Sequence, residues 1–123
     1  MVRDVFSTAT LDRALKKKRA EREKFRRKRT AEVLAALETL SRDVAFEEAI
    51  LFGSLTRKGK YSEDSDIDIG FVGLADKDFF RAQAFLSRAL DADVDVVQVE
   101  KCGRLKDKIR EEGVRWKRRD GSS

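Results

Sequence analysis

The sequence predicts one domain of mixed helices and strands, and three observations carry that reading. Residues from about 10 to 40 include neither Gly nor Pro and are rich in Ala, Leu, Glu, Lys and Arg, the composition of a long helix. Residues 49–52, 66–72 and 94–99 are short apolar or alternating runs of strand length. Helical patterns at 76–90 and 105–112 are interleaved with them. A chain of 123 residues suits a single domain.

The elements follow in order. Residues 1–9 are short and irregular, and Thr10 is the expected N-cap of the long helix. The second half of that helix carries an apolar stripe, Val33, Leu34, Leu37 and Leu40. Its first half does not. Between Lys16 and Arg29 lie ten basic and two acidic residues, with Leu11, Leu15 and Phe25 as the few apolar marks. The compact part begins near Ala45. Ala49-Ile50-Leu51-Phe52 reads as a strand closed by Gly53-Ser54, and 56–65 as a polar loop. From Asp66 to Val72 polar and apolar residues alternate, a strand with one buried face. Asp76 is the expected cap of a helix reaching Leu90, with Phe79, Phe80, Ala82, Ala84, Phe85, Leu86 and Leu90 inward. Residues 94–99 form a third strand. A last helix, 105–112, ends at Gly113, a natural C′ residue, and Trp116 follows among basic residues. The expected division is 1–42 as a mostly helical basic extension, 43–119 as the compact domain and 120–123 as a disordered tail.

Composition narrows the chemistry. Charged residues make up 41% of the chain, the net charge is +5 and the isoelectric point is near 9.5, so an anionic partner is expected. With one cysteine, Cys102, and no histidine, an internal disulfide, a Cys/His zinc site and a histidine-based nucleophile are all excluded within this chain. Cys102 lies away from every motif and reads as a passive buried thiol. A catalytic ion would take oxygen ligands, which points to Mg²⁺, or to Mn²⁺. No apolar run reaches membrane-span length and the N-terminus has no apolar signal core, so the cytoplasm is the expected location and no membrane partner is expected.

Two short motifs carry the candidate site. Strand alternation puts Ile67, Ile69 and Phe71 on one face and Asp66, Asp68 and Gly70 on the other. The two aspartates then lie roughly 6.5 Å apart along the strand, a spacing at which carboxylates can bridge a metal pair. Alone, the same pattern also fits a strand with its polar face in water. Gly53-Ser54 offers a bare Cα and a hydroxyl to a phosphate at the start of a helical turn, and alone fits an ordinary turn as well.

Taken together, Leu51-Phe52-Gly53-Ser54 followed by Asp64-Ser65-Asp66-Ile67-Asp68-Ile69 resembles the signature of the DNA polymerase beta-like nucleotidyltransferases, and among them the minimal nucleotidyltransferases. The similarity runs from about Ala49 to Arg115. It includes Gly73-Leu74, Phe79-Phe80, Val94-Asp95-Val96-Val97 and residues 109–113. The resemblance implies an α+β fold, a small mixed sheet with helices on one face. It implies that Asp66 and Asp68 hold two Mg²⁺ ions and that Asp95, on a neighbouring strand, is the third catalytic carboxylate. Asp93 is its rival on the same strand face. Gly53, Ser54 and Arg57 would contact the nucleoside triphosphate, with Lys58 and Lys60 as further candidates, although Arg57-Lys58-Gly59 makes the loop one residue longer than the family's common Arg-Gly. Ser65 would orient the loop.

The implied reaction is in-line attack of an acceptor hydroxyl on the α-phosphate of a triphosphate, expected to be ATP. The implied partner is a small helical protein of the HEPN class. The chain would then be the antitoxin of a toxin–antitoxin pair, adding AMP to a tyrosine of a toxic RNase. Two other readings stay open. One is a nucleic-acid-binding or RNA-modifying enzyme that uses the run from Lys16 to Arg29 against phosphates. The other is a catalytically silent docking module. Nucleotide identity, single or repeated transfer and oligomeric state are not legible in the sequence.

Overall fold

The computed structural model describes residues 8–57, 61–62 and 64–117, with side chains from residue 10 onward. Of the expected irregular start, only residues 8 and 9 are described, and they form the first turn of a helix. The tail 120–123, Lys58 and Lys60 lie outside the described residues.

Helix α1 (Thr8–Leu40) is followed by β1 (Glu48–Phe52), a 3-10 turn (Gly53–Thr56), β2 (Ile67–Val72), a second 3-10 turn (Asp76–Asp78), α2 (Phe79–Leu90) and β3 (Val94–Gln98). A third 3-10 turn (Val99–Lys101), α3 (Leu105–Glu112) and β4 (Val114–Lys117) complete the order. The four strands form one mixed sheet in the order β3-β2-β1-β4. β1 runs antiparallel to both β2 and β4, and β2 runs parallel to β3. Parallel neighbours need a crossover, and α2 supplies it.

Helices α1 and α2 cover one face. Val33 and Leu37 of α1, Ala82 and Leu86 of α2, and Leu51, Ile67, Ile69 and Phe71 of the strands are all fully buried in one cluster. The alternation expected along β2 is therefore present, with Ile67, Ile69 and Phe71 inward. Short α3 lies over part of the other face, where Ile109 meets Ile50, Val72 and Val99.

Several local expectations are corrected. The long helix starts at Thr8, so Thr10 is inside it and not its cap. Asp76 opens a separate 3-10 turn, and the helix proper begins at Phe79. At 100° per residue Phe79, Ala82, Leu86 and Leu90 share one face and Phe80 and Ala84 turn away from it, so Phe80 is 80% exposed, edge-on to Phe79, and Ala84 is on the solvent side. Gly113 does close α3, but with φ −80° and ψ 159° in place of a left-handed C′ conformation. Its glycine is required for space, because a Cβ would collide with the Ile50 side chain and the Ile109 carbonyl. Strand β4 was not expected. Four residues of alternating basic and apolar character carry too little pattern, and only pairing with β1 makes them a strand. Within it, Trp116 packs half-buried against Phe46 at 5.6 Å between ring centres.

Candidate active site

The sheet brings the expected carboxylates together. In the parallel register of β2 and β3, Asp68 stands directly beside Asp95. Asp66 immediately precedes β2, two residues back. Register and alternation thus place Asp68 and Asp95 on the face opposite α1 and α2, with Asp66 at the strand entrance, near enough for its charge to bear on Asp68. Asp93 precedes β3, and its carbonyl accepts the Ile67 amide at 3.0 Å, so it lies at the strand entrance.

Asp68 is half-buried, whereas Asp66 and Asp95 are exposed. Burial pushes the Asp68 carboxyl up from its ordinary value, and the charges of Asp95 and then Asp66 push it the same way. Among the described residues no basic side chain is ion-paired to any of the three. Nor do any three Asp, Glu, Cys or His side chains stand close enough there to form a ready-made metal cage. Among the described residues the arrangement is an open, oxygen-only donor set with no ion-paired carboxylate. Its chemistry fits a hard divalent cation.

Gly53 lies underneath. Its φ of +76° is in the left-handed region, and a Cβ there would collide with the Asp68 carboxylate. The strand β1 ends at Phe52 opposite Asp68 in the antiparallel register, which is what carries Gly53 to the aspartate. Beyond it Gly53–Thr56 makes a single 3-10 turn and not the start of a longer helix. Thr56 Oγ1 donates to the Gly53 carbonyl at 2.9 Å and locks that turn. Ser54 is half-exposed within it. Arg57 leaves the turn towards α3 and forms an exposed ion pair with Glu112 at 3.7 Å. Ser65 does brace its loop, accepting the Ser62 amide at 3.1 Å. Cys102 is half-buried rather than buried, its thiol pushed up by burial and by Glu100.

Helix α1 holds this loop through contacts that no local sequence pattern marks in full. Arg26 Nη1 donates to the Leu55 carbonyl at 3.1 Å, while its Nε and Nη2 donate to Glu23 at 2.9 and 2.6 Å. The Phe25 ring stacks on the buried Tyr61 ring at 5.6 Å. Arg29 Nη1 donates to the Leu90 carbonyl at 2.8 Å. Glu–Arg spacing of three residues was the available signal, but nothing local marks Leu55 as the third partner. Arg29 also lines a cavity of about 490 Å³ with Asp64, Ser65, Asp66 and Asp93, next to the carboxylate cluster.

The sequence profile of a family described as polymerase beta, nucleotidyltransferase matches residues 36–121. Among solved structures, a chain of a toxin–antitoxin complex crystallised with AMP-PNP superposes with a TM-score of 0.58 at 26% identity. The match covers 68% of this chain and 73% of that one. A candidate minimal nucleotidyltransferase superposes with a TM-score of 0.55 at 28% identity, over 69% of this chain and 89% of its own. A chain of the MntA–HepT toxin–antitoxin complex gives 0.52 at 24% identity, over 69% and 70% respectively, a likeness of fold. No curated protein sequence matches this chain. Among the described residues, no helix is long and apolar enough to cross a membrane.

Proposed function

The chain belongs to the polymerase beta nucleotidyltransferase family, and we propose that it transfers AMP from ATP to a tyrosine of a partner protein. The single observation that carries the site is the register of Asp68 against Asp95, with Asp66 two residues away and Gly53 beneath. In this reading residues 43–119 form the transferase unit. The extension 1–42 contributes its second half to the same core.

Each residue has a task. Gly53 gives the triphosphate a path to Asp68 that any side chain would block. Ser54 supplies a hydroxyl donor to it. Arg57 exchanges its exposed Glu112 partner, a weak surface pair, for phosphate oxygen. Asp66, Asp68 and Asp95 would hold two Mg²⁺ ions (Mn²⁺ shares the ligand preference), which when bound neutralise the triphosphate and acidify the acceptor hydroxyl. Asp95, exposed at the open face, would receive the acceptor proton. The acceptor oxygen forms its bond to the α-phosphorus as the bond to the β-phosphate oxygen breaks and pyrophosphate leaves.

The antitoxin role is supported by the 26% identical chain found in a toxin–antitoxin complex with AMP-PNP. The proposed partner is a HEPN-type protein, and the proposed setting is the cytoplasm. The test is to incubate the chain with the protein of the adjoining reading frame, labelled ATP and Mg²⁺, and to weigh both chains by mass spectrometry. A gain of one AMP on the partner's tyrosine is expected. The net positive run between Lys16 and Arg29 favours a second reading, modification of RNA. Label on RNA with none on protein would establish that reading in place of the first.

A further inference from the structure

Helix α1 is about 50 Å long at 1.5 Å per residue, longer than the sheet it packs on. All thirteen residues from Thr10 to Arg22 are exposed, an overhang of about 20 Å. This segment also precedes residue 36, where the family match begins.

The overhang is not uniform around its axis. At 100° per residue, Phe25, Arg29, Val33, Ala36 and Leu40 share the face that packs on the domain. The same face continues outward through Arg22, Lys18, Leu15 and Leu11. Leu11 and Leu15, one turn apart, are 59% and 41% exposed, with no part of the described chain covering them. Six basic and two acidic residues lie between Thr10 and Arg22. Beneath this face a wedge of about 360 Å³ opens between Lys18, Arg22 and Phe25 on the helix and Ser62 and Asp64 on the loop. Asp64 also lines the cavity that reaches Asp66.

We propose that this face of the overhang docks a folded partner protein whose apolar groove, rimmed by carboxylates, takes Leu11 and Leu15 as anchors. Two leucines at i and i+4 are the pattern of a helix seated in an apolar groove, and phosphate contacts alone would give them no task. The surrounding lysines and arginines require an acidic rim. A partner seated there fills the wedge and brings its surface up to the loop that leads into Asp66 and Asp68. The inference rests on the protein-acceptor reading of the site and adds where that acceptor protein is held.

The test is calorimetric titration of the full-length chain with the protein of the adjoining reading frame, and separately with a 20-nucleotide RNA. Leu11→Asp/Leu15→Asp is compared with wild type; both side chains are exposed, and circular dichroism and Tm check that the fold is kept. The expected result is at least a tenfold loss of affinity for the protein. Reversal of Lys16, Lys17, Lys18 and Arg19 to Glu is expected to weaken it too, and wild-type binding is expected to weaken with salt. Wild-type affinity in the leucine variant overturns the proposal, as does absence of binding to the protein. RNA binding tighter than protein binding, lost on charge reversal and kept in the leucine variant, overturns it in favour of nucleic acid. Leucine-dependent binding without AMP transfer by wild type leaves the docking face standing and removes the transfer reading instead.

Discussion

Gly53 and Asp68 fit together only because position 53 has no side chain. The backbone there is left-handed at φ +76°, and the space a Cβ would occupy is held by the Asp68 carboxylate.

Gly53→Ala therefore faces two costs, a strained backbone and a displaced aspartate. About 1 kcal/mol or more of stability is expected to be lost from the backbone alone. Transfer is expected to fall at least a hundredfold, because the carboxylate and the phosphate path move together. Denaturant melts and turnover assays check the two effects, and an active Gly53→Ala enzyme would place the triphosphate elsewhere.

Asp68 sits half-buried between Asp66 and Asp95 without a counter-charge among the described residues. Asp68→Asn removes one of three repelling charges, so the metal-free variant is expected to melt higher than wild type at neutral pH. Mg²⁺ should raise the Tm of wild type and leave the variant nearly unmoved. Transfer should be abolished. Equal Mg²⁺ responses in the two proteins would remove Asp68 from the ligand set.

Arg26 connects α1 to the turn after Gly53 through the Leu55 carbonyl. Arg26→Ala is expected to raise the KM for ATP several-fold with a smaller change in kcat, because the turn loses its external brace. Arg26→Lys should restore part of the effect, since a lysine can still donate to the carbonyl but cannot fork onto Glu23. An unchanged KM in Arg26→Ala, with the fold intact, would make the contact merely structural.

The partner in that fork gives a pH signature. Hydrogen bonds and charge from Arg26, with Arg27 adding to them, lower the Glu23 carboxyl from 4.5 to about 2. A depressed acid contributes stability that is fully present above its unfolded value and lost as pH falls through its folded value. The Tm of wild type should thus exceed that of Glu23→Gln at neutral pH, and the gap should close between about pH 4.5 and about pH 2. A gap independent of pH would show that charge is not its source.

Gly113→Ala tests packing on the face opposite α1. The added methyl meets Ile50 and the Ile109 carbonyl, and a loss of about 1–3 kcal/mol is expected from overpacking. Thermal or denaturant unfolding reads it directly.

The sequence by itself determined what is periodic and local. The alternation from Asp66 to Val72 assigned Ile67, Ile69 and Phe71 to the core, and they are fully buried. The Gly-free, Pro-free run before Leu40 made a helix, and the spacing of Gly53-Ser54 and Asp66-Ile67-Asp68 pointed to the family. Only the tertiary structure decided what depends on register and on partners distant in the chain. Asp68 meets Asp95 because β2 and β3 pair in one of several possible alignments. Residues 114–117 become a strand because β1 has a free edge, and Arg26 reaches Leu55 because α1 packs in the same core as the turn after β1. Periodicity reports which face of an element is buried. It does not report which neighbour that face meets, and that choice is made by the packing free energy of the whole fold.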